Sequence, residues 1–298
     1  MKRTALYTAL TLLTIILASC DGNGKKSDAY GNFEADEVIV SSQSNGLILY
    51  LNAEEGAELL PGTVVGVVDT VQLALKKEQL ITQKDIIRAK TKNISAQAEV
   101  VKAQKAAAER EKKRVENLLK DDAATQKQLD DIISQIGVYD KQIKSIDTQG
   151  ITVNDEIKAL DLQIEQLNDQ IKKCYIVNPL KGTVLTKYAS AGEVTAFSKP
   201  LYKIAGLNDI YLKVYVSGDA ISSVTLGANA TVSVDSGNGT MKSYDGTVSW
   251  ISDKAEFTPK IIQTKEERVS LVYAVRIKVK NDGGLKIGMP GEAVFKGM

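Results

Sequence analysis

"LDDIISQIGVYDKQIKSIDTQGITVNDEIKALDLQIEQLNDQIKKC", residues 129–174, decides the fold. Leu129, Ile136, Ile143, Gly150, Ile157, Ile164 and Ile171 stand seven residues apart, and Ile132, Tyr139, Ile146, Val153, Leu160, Leu167 and Cys174 each follow by three. Two interleaved apolar series at spacings of three and four draw a narrow stripe along a helix, the pattern a coiled-coil seam requires. Gly150 alone interrupts it. A glycine there costs about 1 kcal/mol relative to alanine and marks an expected bend or loosened pairing.

Upstream, Leu73, Leu80, Ile87, Ile94, Val101, Ala108 and Val115 form one series of the same period, but its partner positions are largely Lys, Thr and Ala. That seam is thinner, and lysine stems can cover its flanks while their charges stay in water. Between the two patterns lies "KRVENLLKDDAATQKQLDDII", residues 113–133, where the periodicity stops for a few residues and restarts. Thr125 is placed to cap the second helix, with Gln128 three residues on at the spacing of a capping box. Two helices of nearly equal length, roughly residues 72–120 and 125–175, about one short break make an antiparallel hairpin. At 1.5 Å per residue each arm is on the order of 70 Å long, more than a compact domain needs, so the hairpin is expected to project.

The flanks of the hairpin repeat one another. "GLILYLNAEEGAELLPGTVVGVV" runs from Gly46 and reaches Gly56 after ten residues, and "GTVLTKYASAGEVTAFSKPLYKI" runs from Gly182 and reaches Gly192 after ten. In each copy a β-rich run precedes a glycine turn, and a second run follows a turn containing Pro61 or Pro200. Each reads as half of a small β-sandwich, and joining the halves closes the base of the hairpin. After Gly206, "IYLKVYV", "ATVSV", "GTVSWIS" and "LVYAVRIKV" alternate with period two, predicting an antiparallel β-domain of about 90 residues. Trp250 is expected in its core, "NDGG" at Asn281 as a turn, and Pro259 with the charged "KEER" at Lys265 as an exposed excursion.

At the other end, Lys2 and Arg3 precede "TALYTALTLLTIILAS", an apolar stretch too short for a permanent membrane span. It closes in Leu17, Ala18, Ser19 and Cys20, which resembles the lipobox at which bacterial lipoproteins are cut and acylated. Acylation of Cys20 would anchor the protein to a membrane without crossing it. The expected division is a signal peptide over 1–19, a lipidated N-terminus and flexible tether over 20–34, and a first sandwich half over 35–71. The hairpin follows over 72–175 with its tip at about 120–125, then a second half over 176–206 and a β-barrel domain over 207–298.

Composition removes several functions. There is no histidine, and Cys174 is the one cysteine besides Cys20, so neither a Cys/His zinc site nor an internal disulfide is expected, and Cys174 reads as a packing residue. Thirty-eight basic against 37 acidic residues give no excess to hold a nucleic-acid backbone. No GxxxxGK[ST] loop is present to cradle nucleotide phosphates, and neither an enzyme activity, a cofactor nor a metal is expected.

The paired half-motifs resemble the split biotinyl/lipoyl domain. The order lipobox, half-motif, helical hairpin, half-motif and barrel resembles the periplasmic adaptors, or membrane fusion proteins, of the HlyD type. Glu256 to Ala293 is similar to the adaptors that work with ABC-type exporters. The implied fold is α+β, elongated and multidomain: a coiled-coil hairpin inserted in a lipoyl-like β-sandwich, followed by an antiparallel β-barrel. The implied function is that of a periplasmic adaptor in a tripartite efflux system of a Gram-negative bacterium. It would link an inner-membrane ABC-type transporter to an outer-membrane TolC-like channel as a homo-oligomer, commonly a hexameric ring. Asp21 after the cysteine resembles an inner-membrane retention signal. The chain stops directly after the barrel-like segment, so a membrane-proximal domain is expected to be missing or reduced.

Arg114, Leu118 and Thr125 resemble the Arg, Leu, Ser pattern with which adaptor tips meet TolC-like channels, Thr replacing Ser here. The alternative keeps Leu118 in the seam, Thr125 as a cap and Arg114 in solvent. Gly56 and Gly192 stand either at subunit contacts or simply at turns needing positive φ. Other whole-chain readings are an adaptor of a proton-driven RND-type exporter, an envelope-bridging structural lipoprotein, or a biotin or lipoyl carrier. The carrier would lose its swinging-arm geometry, because the hairpin replaces the turn that should bear the lysine.

Overall fold

Every position of the two heptad series between Leu129 and Cys174 is buried or half-buried in the computed structural model, which describes residues 27–237, 240–257 and 271–296. Cys20 with its leader, and the excursion holding Pro259 and Lys265, lie outside the described residues. The chain divides into two compact units, one of residues up to Val38 and from Ile204 onward, the other Ile39–Lys203.

In the second unit, helices α1 (Val71–Lys120) and α2 (Gln126–Lys173) pack as an antiparallel pair. Ile87, Val153 and Leu160 form its buried centre, with Leu80, Ile94 and Ile157 against them. The thinner seam of α1 is covered by its lysines. Lys84 pairs with Asp161, and Lys105 Nζ lies 2.7 Å from Asp140. These two ion pairs across the seam fix the register between the arms. Helix α2 runs through Gly150 without a break, and a Cβ there would sit 3.8 Å from Ile94 Cγ2, an ordinary contact. Gly150→Ala should stabilise the hairpin by about 1 kcal/mol, read as a raised thermal midpoint of the helical signal. A lowered midpoint would mean that close pairing needs the glycine.

Strands β2 (Glu37–Ser41), β3 (Gly46–Leu51), β4 (Glu58–Leu59) and β5 (Val64–Val68) precede the hairpin. Strands β6 (Tyr175–Val177), β7 (Gly182–Lys187), β8 (Val194–Thr195) and β9 (Pro200–Ala205) follow it. They form two four-stranded sheets, β2-β9-β7-β4 and β6-β5-β3-β8, so each sheet takes strands from both flanks. The halves exchange hydrogen bonds reciprocally. Gly56 N–H donates to Val184 O at 2.9 Å, and Gly192 N–H donates to Ile48 O at 2.8 Å. Ile48 N–H donates to Glu193 O at 2.9 Å, and Val184 N–H to Ala57 O at 3.0 Å. The second turn of each half holds a left-handed residue at the matching place, Gly62 with φ 80° and Ser198 with φ 68°. At the base, buried Asn178 bonds the Leu60 carbonyl at 2.9 Å and accepts from the Tyr202 hydroxyl at 3.1 Å. Burial pushes that phenol up to about 12.

The first unit is a closed barrel. Strands β1 (Ala29–Glu34), β10 (Asp209–Ser217), β11 (Asn229–Asp235), β12 (Met241–Ile251), β14 (Leu271–Lys280) and β15 (Pro290–Phe295) pair in the order β10-β1-β15-β11-β12-β14, and β14 pairs back to β10. The short strand β13 (Glu256–Phe257) lies beside β14. The alternation of "IYLKVYV" is realised in full, since Ile210, Leu212, Val214 and Val216 all point into the core.

Two expectations need correcting here. Residues 29–34, assigned to the flexible tether, are strand β1, with Ala29 and Phe33 buried and pairing on both sides to β10 and β15. The barrel is therefore closed by a strand from before the hairpin. Trp250, expected in the core, is 42% exposed. A β-bulge between Val248 and Trp250 inserts one residue and turns the indole to the outer face.

The "NDGG" turn is held from the side. The Lys242 ammonium at 2.5 Å, then the Gly284 amide, hold the Asp282 carboxyl down to about 2, with the Tyr244 hydroxyl at 3.2 Å. A carboxylate depressed on folding contributes stability above its unfolded pKa near 4 and loses it as pH falls toward 2. Asp282→Asn should remove that part of the acid sensitivity of the barrel. A pH–stability profile of the variant identical to that of the parent would refute it.

Candidate functional site: the tip of the hairpin

The tip is built by the last turn of α1. Leu118 O accepts from Ala123 N–H at 2.8 Å and Leu119 O accepts from Asp122 N–H at 3.2 Å, while Asp122 takes φ 56°. This is a Schellman ending with aspartate in the left-handed position usually given to glycine. Helix α2 starts on a capping box. Gln128 N–H donates to Thr125 Oγ1 at 3.4 Å, and Thr125 N–H donates to Gln128 Oε1 at 2.8 Å.

Buried Val115 and half-buried Leu119 and Leu129 occupy the seam positions at this end. Leu118 is not among them and is 39% exposed, while Thr125 caps α2 and Arg114 lies in solvent as the alternative reading has them. Arg114 sits one turn earlier on the same side of α1, its side chain 71% exposed and its Nη2 2.7 Å from Glu111 Oε1. An exposed pair of this kind holds its arginine weakly, so the guanidinium is free to turn to another acceptor at small cost. Thr125 is exposed, and its hydroxyl donates to Gln128 Oε1 at 3.1 Å. The tip thus gathers a planar cation, an unburied leucine and a hydroxyl around one turn. Sequence reasoning missed Asp122 and Glu111; an Asp-Asp pair after a helix is the one local hint of the left-handed ending.

Gly56 and Gly192 belong to the sandwich, about an arm's length from the tip. Both have positive φ, 86° and 87°, and no atom lies within 4 Å of where a Cβ would be. The turns need glycine for backbone reasons, and the space beside them is open. Among the described residues no cluster of His, Cys, Asp and Glu is placed to hold a metal, and no helix is long and apolar enough to cross a membrane.

No family model matches the chain. The UPF0194 membrane protein in the asrC 5′ region of Acidithiobacillus ferridurans is 39% identical over 113 residues, 38% of this chain and 33% of that protein. The chain thus spans about a third of the length of the curated relatives it matches. Among solved structures, MacA from Actinobacillus actinomycetemcomitans superposes with a TM-score of 0.62 at 20% identity, covering 91% of this chain and 78% of MacA. The membrane fusion protein Spr0693 from Streptococcus pneumoniae gives 0.55 at 15% identity, covering 90% of this chain and 98% of Spr0693.

The chain has the membrane fusion protein fold. Spr0693, one of these neighbours, is named as a membrane fusion protein. At the hairpin tip the Arg114 guanidinium, Leu118 and Thr125 all keep exposed surface. The barrel interior is filled by its own apolar side chains.

Proposed function

We propose that this chain is the periplasmic adaptor of a tripartite export system, linking an inner-membrane ABC-type transporter to an outer-membrane TolC-like channel. What carries the reading is the order of parts: a two-helix hairpin inserted between interleaved half-sandwiches, then a closed barrel, with Leu118 left outside the seam. The reciprocal strands around Gly56 and Gly192 suit a split lipoyl-like domain. The two turns offer open surface to neighbouring subunits of a homo-oligomeric, six-fold ring. Arg114 would present its donor fork to carbonyl or carboxylate oxygens of the channel, Leu118 would enter a groove between channel helices, and Thr125 would cap and donate. The chain performs no chemistry; the transporter supplies the energy. Acyl chains on Cys20 would hold the ring to the inner membrane in the periplasm.

The test is purification of the full chain with its native lipid after mild crosslinking in cells. A transporter ATPase, its permease and an outer-membrane channel should co-purify, and mass spectrometry should find Cys20 acylated at the mature N-terminus. Recovery of a proton-driven exporter in place of an ATPase would overturn the ABC assignment, and recovery of neither would overturn the adaptor reading. An unmodified Cys20 would overturn the anchor.

A further inference from the structure

The outer wall of the barrel carries a groove of about 710 Å³, with Tyr30, Tyr215, Met241 and Val272 as its apolar lining and Glu292 and Asp235 as its charged groups. Its volume is in the range of about 300–1,000 Å³ common to small-molecule sites. Strand register brings these groups together. Ala29 and Phe33 point into the core, so Tyr30 on β1 turns outward, opposite Tyr215 on β10 and Glu292 on β15. Asp235 stands opposite Met241 where β11 meets β12.

The charge of the groove is one-sided. Two carboxylates line it, and among the described residues no lysine or arginine does. Glu292 accepts from the Ser27 hydroxyl through one oxygen, and Asp235 accepts from Gly237 N–H at 2.8 Å through one oxygen. Each keeps a second oxygen for a ligand. The two acids belong to different strands with no third ligating group beside them, so they make no metal site. The rings differ in what they already hold. Lys213 Nζ lies 5.8 Å from the centroid of Tyr215, whereas Tyr30 is 58% exposed and has no cation over its ring among the described residues.

We infer that this groove binds a small organic cation with a flat apolar body. The body lies on Tyr30 and Met241, and the positive charge sits between the Tyr30 face and the Glu292 carboxylate, whose strand positions are neighbours about 5 Å apart at Cβ. Met241, unbranched and polarizable, adapts to ring systems of different outline. An anion of the same shape meets two carboxylates and no compensating cation, so charge decides which flat molecule enters. The inference stands on the barrel alone and is independent of the adaptor reading.

The experiment titrates the full chain, in neutral detergent with matched detergent as the blank, against a rhodamine ester and separately against fluorescein, a flat cation and a flat anion built on one ring system. Fluorescence anisotropy reads the binding. The cation should bind about tenfold more tightly than the anion, the scale of a partly desolvated cation–π contact. Tyr30→Leu should weaken cation binding by about three- to thirtyfold, and Tyr30→Phe, which keeps the ring, should restore it. Glu292→Gln keeps an acceptor for Ser27 and should narrow the gap between the dyes. Tyr211→Leu, on the outer wall under Arg276 and outside this groove, should leave binding unchanged. The denaturation midpoint of Trp250 fluorescence, matching that of the parent, shows each variant folded. Equal binding of both dyes, or none to the folded chain, would overturn the inference. So would cation binding that survives Tyr30→Leu and Glu292→Gln, and a loss confined to Tyr211→Leu would place the dye in another groove and overturn it as well.

Discussion

Leu118→Asp abolishes export while the hairpin stays folded: this is the outcome expected if the tip is the channel contact. The backbone of Leu118 shapes the turn, through the carbonyl that accepts from Ala123, and its side chain is outside the seam. Aspartate keeps that carbonyl. It therefore costs the isolated hairpin little. In a groove between channel helices the same change forfeits about 1.5–3 kcal/mol of leucine burial and adds the desolvation of a carboxylate. A combined loss on the order of 4 kcal/mol weakens docking by about a thousandfold. Arg114→Ala removes charge-assisted hydrogen bonds of about 1.5–3 kcal/mol and should weaken docking by roughly ten- to a hundredfold. Export, channel co-purification and far-ultraviolet circular dichroism must be read together. Normal export in both variants would reduce the tip to a turn, and lost helicity would show Leu118 to be structural after all.

The hairpin was legible because its information is local and periodic. A seam of period three and four needs no partner to be recognised, and the residues it names, from Leu129 to Cys174, are the shielded ones in the structure. The capping box at Thr125 was readable for the same reason, since four consecutive residues contain it. The half-sandwich repeat was visible through its glycine spacing. Yet the turn residue matching Gly62 is Ser198, not a proline, and only the backbone reveals that.

What escaped the sequence depended on distant partners. Strand β1 buries two of its six side chains deeply and finds its neighbours at the far end of the chain, so "AYGNFE" reads as linker until β10 and β15 are beside it. Trp250 escaped because alternation carries parity from Val248, and one bulged residue reverses it. At the tip, Leu118 is one position before the seam residue Leu119. Heptad counting distinguishes them, but the reason for leaving a leucine outside is not in the hairpin itself.

Gly31→Ala should disrupt the barrel more than any other single methyl. On the backbone of β1 an added Cβ would fall 1.7 Å from Lys213 O and 2.8 Å from Val214 Cα, so the obstacle is the main chain of β10 and no rotamer can relieve it. Gly31 stands opposite Val214 on β10 and Gly291 on β15, where an added Cβ at Gly291 would press on Phe33 and Leu212 at 2.9 Å. The strand that closes the barrel therefore passes where its neighbours leave no room for a side chain. Moving β1 outward would break ladder bonds on both sides and unseat buried Phe33. Overpacking in a well-filled core costs about 1–3 kcal/mol, and against immovable backbone the upper end or beyond applies. Trp250, the only tryptophan, lies on this barrel and supplies the readout through its fluorescence. Gly31→Ala should lower the denaturation midpoint of that signal strongly or leave the barrel unfolded at the outset. Gly283→Ala, a turn position with nothing within 4 Å of its Cβ, should cost only the strain of its positive φ of 95°. If Gly31→Ala melts with the parent, β1 does not close the barrel and belongs to the tether after all.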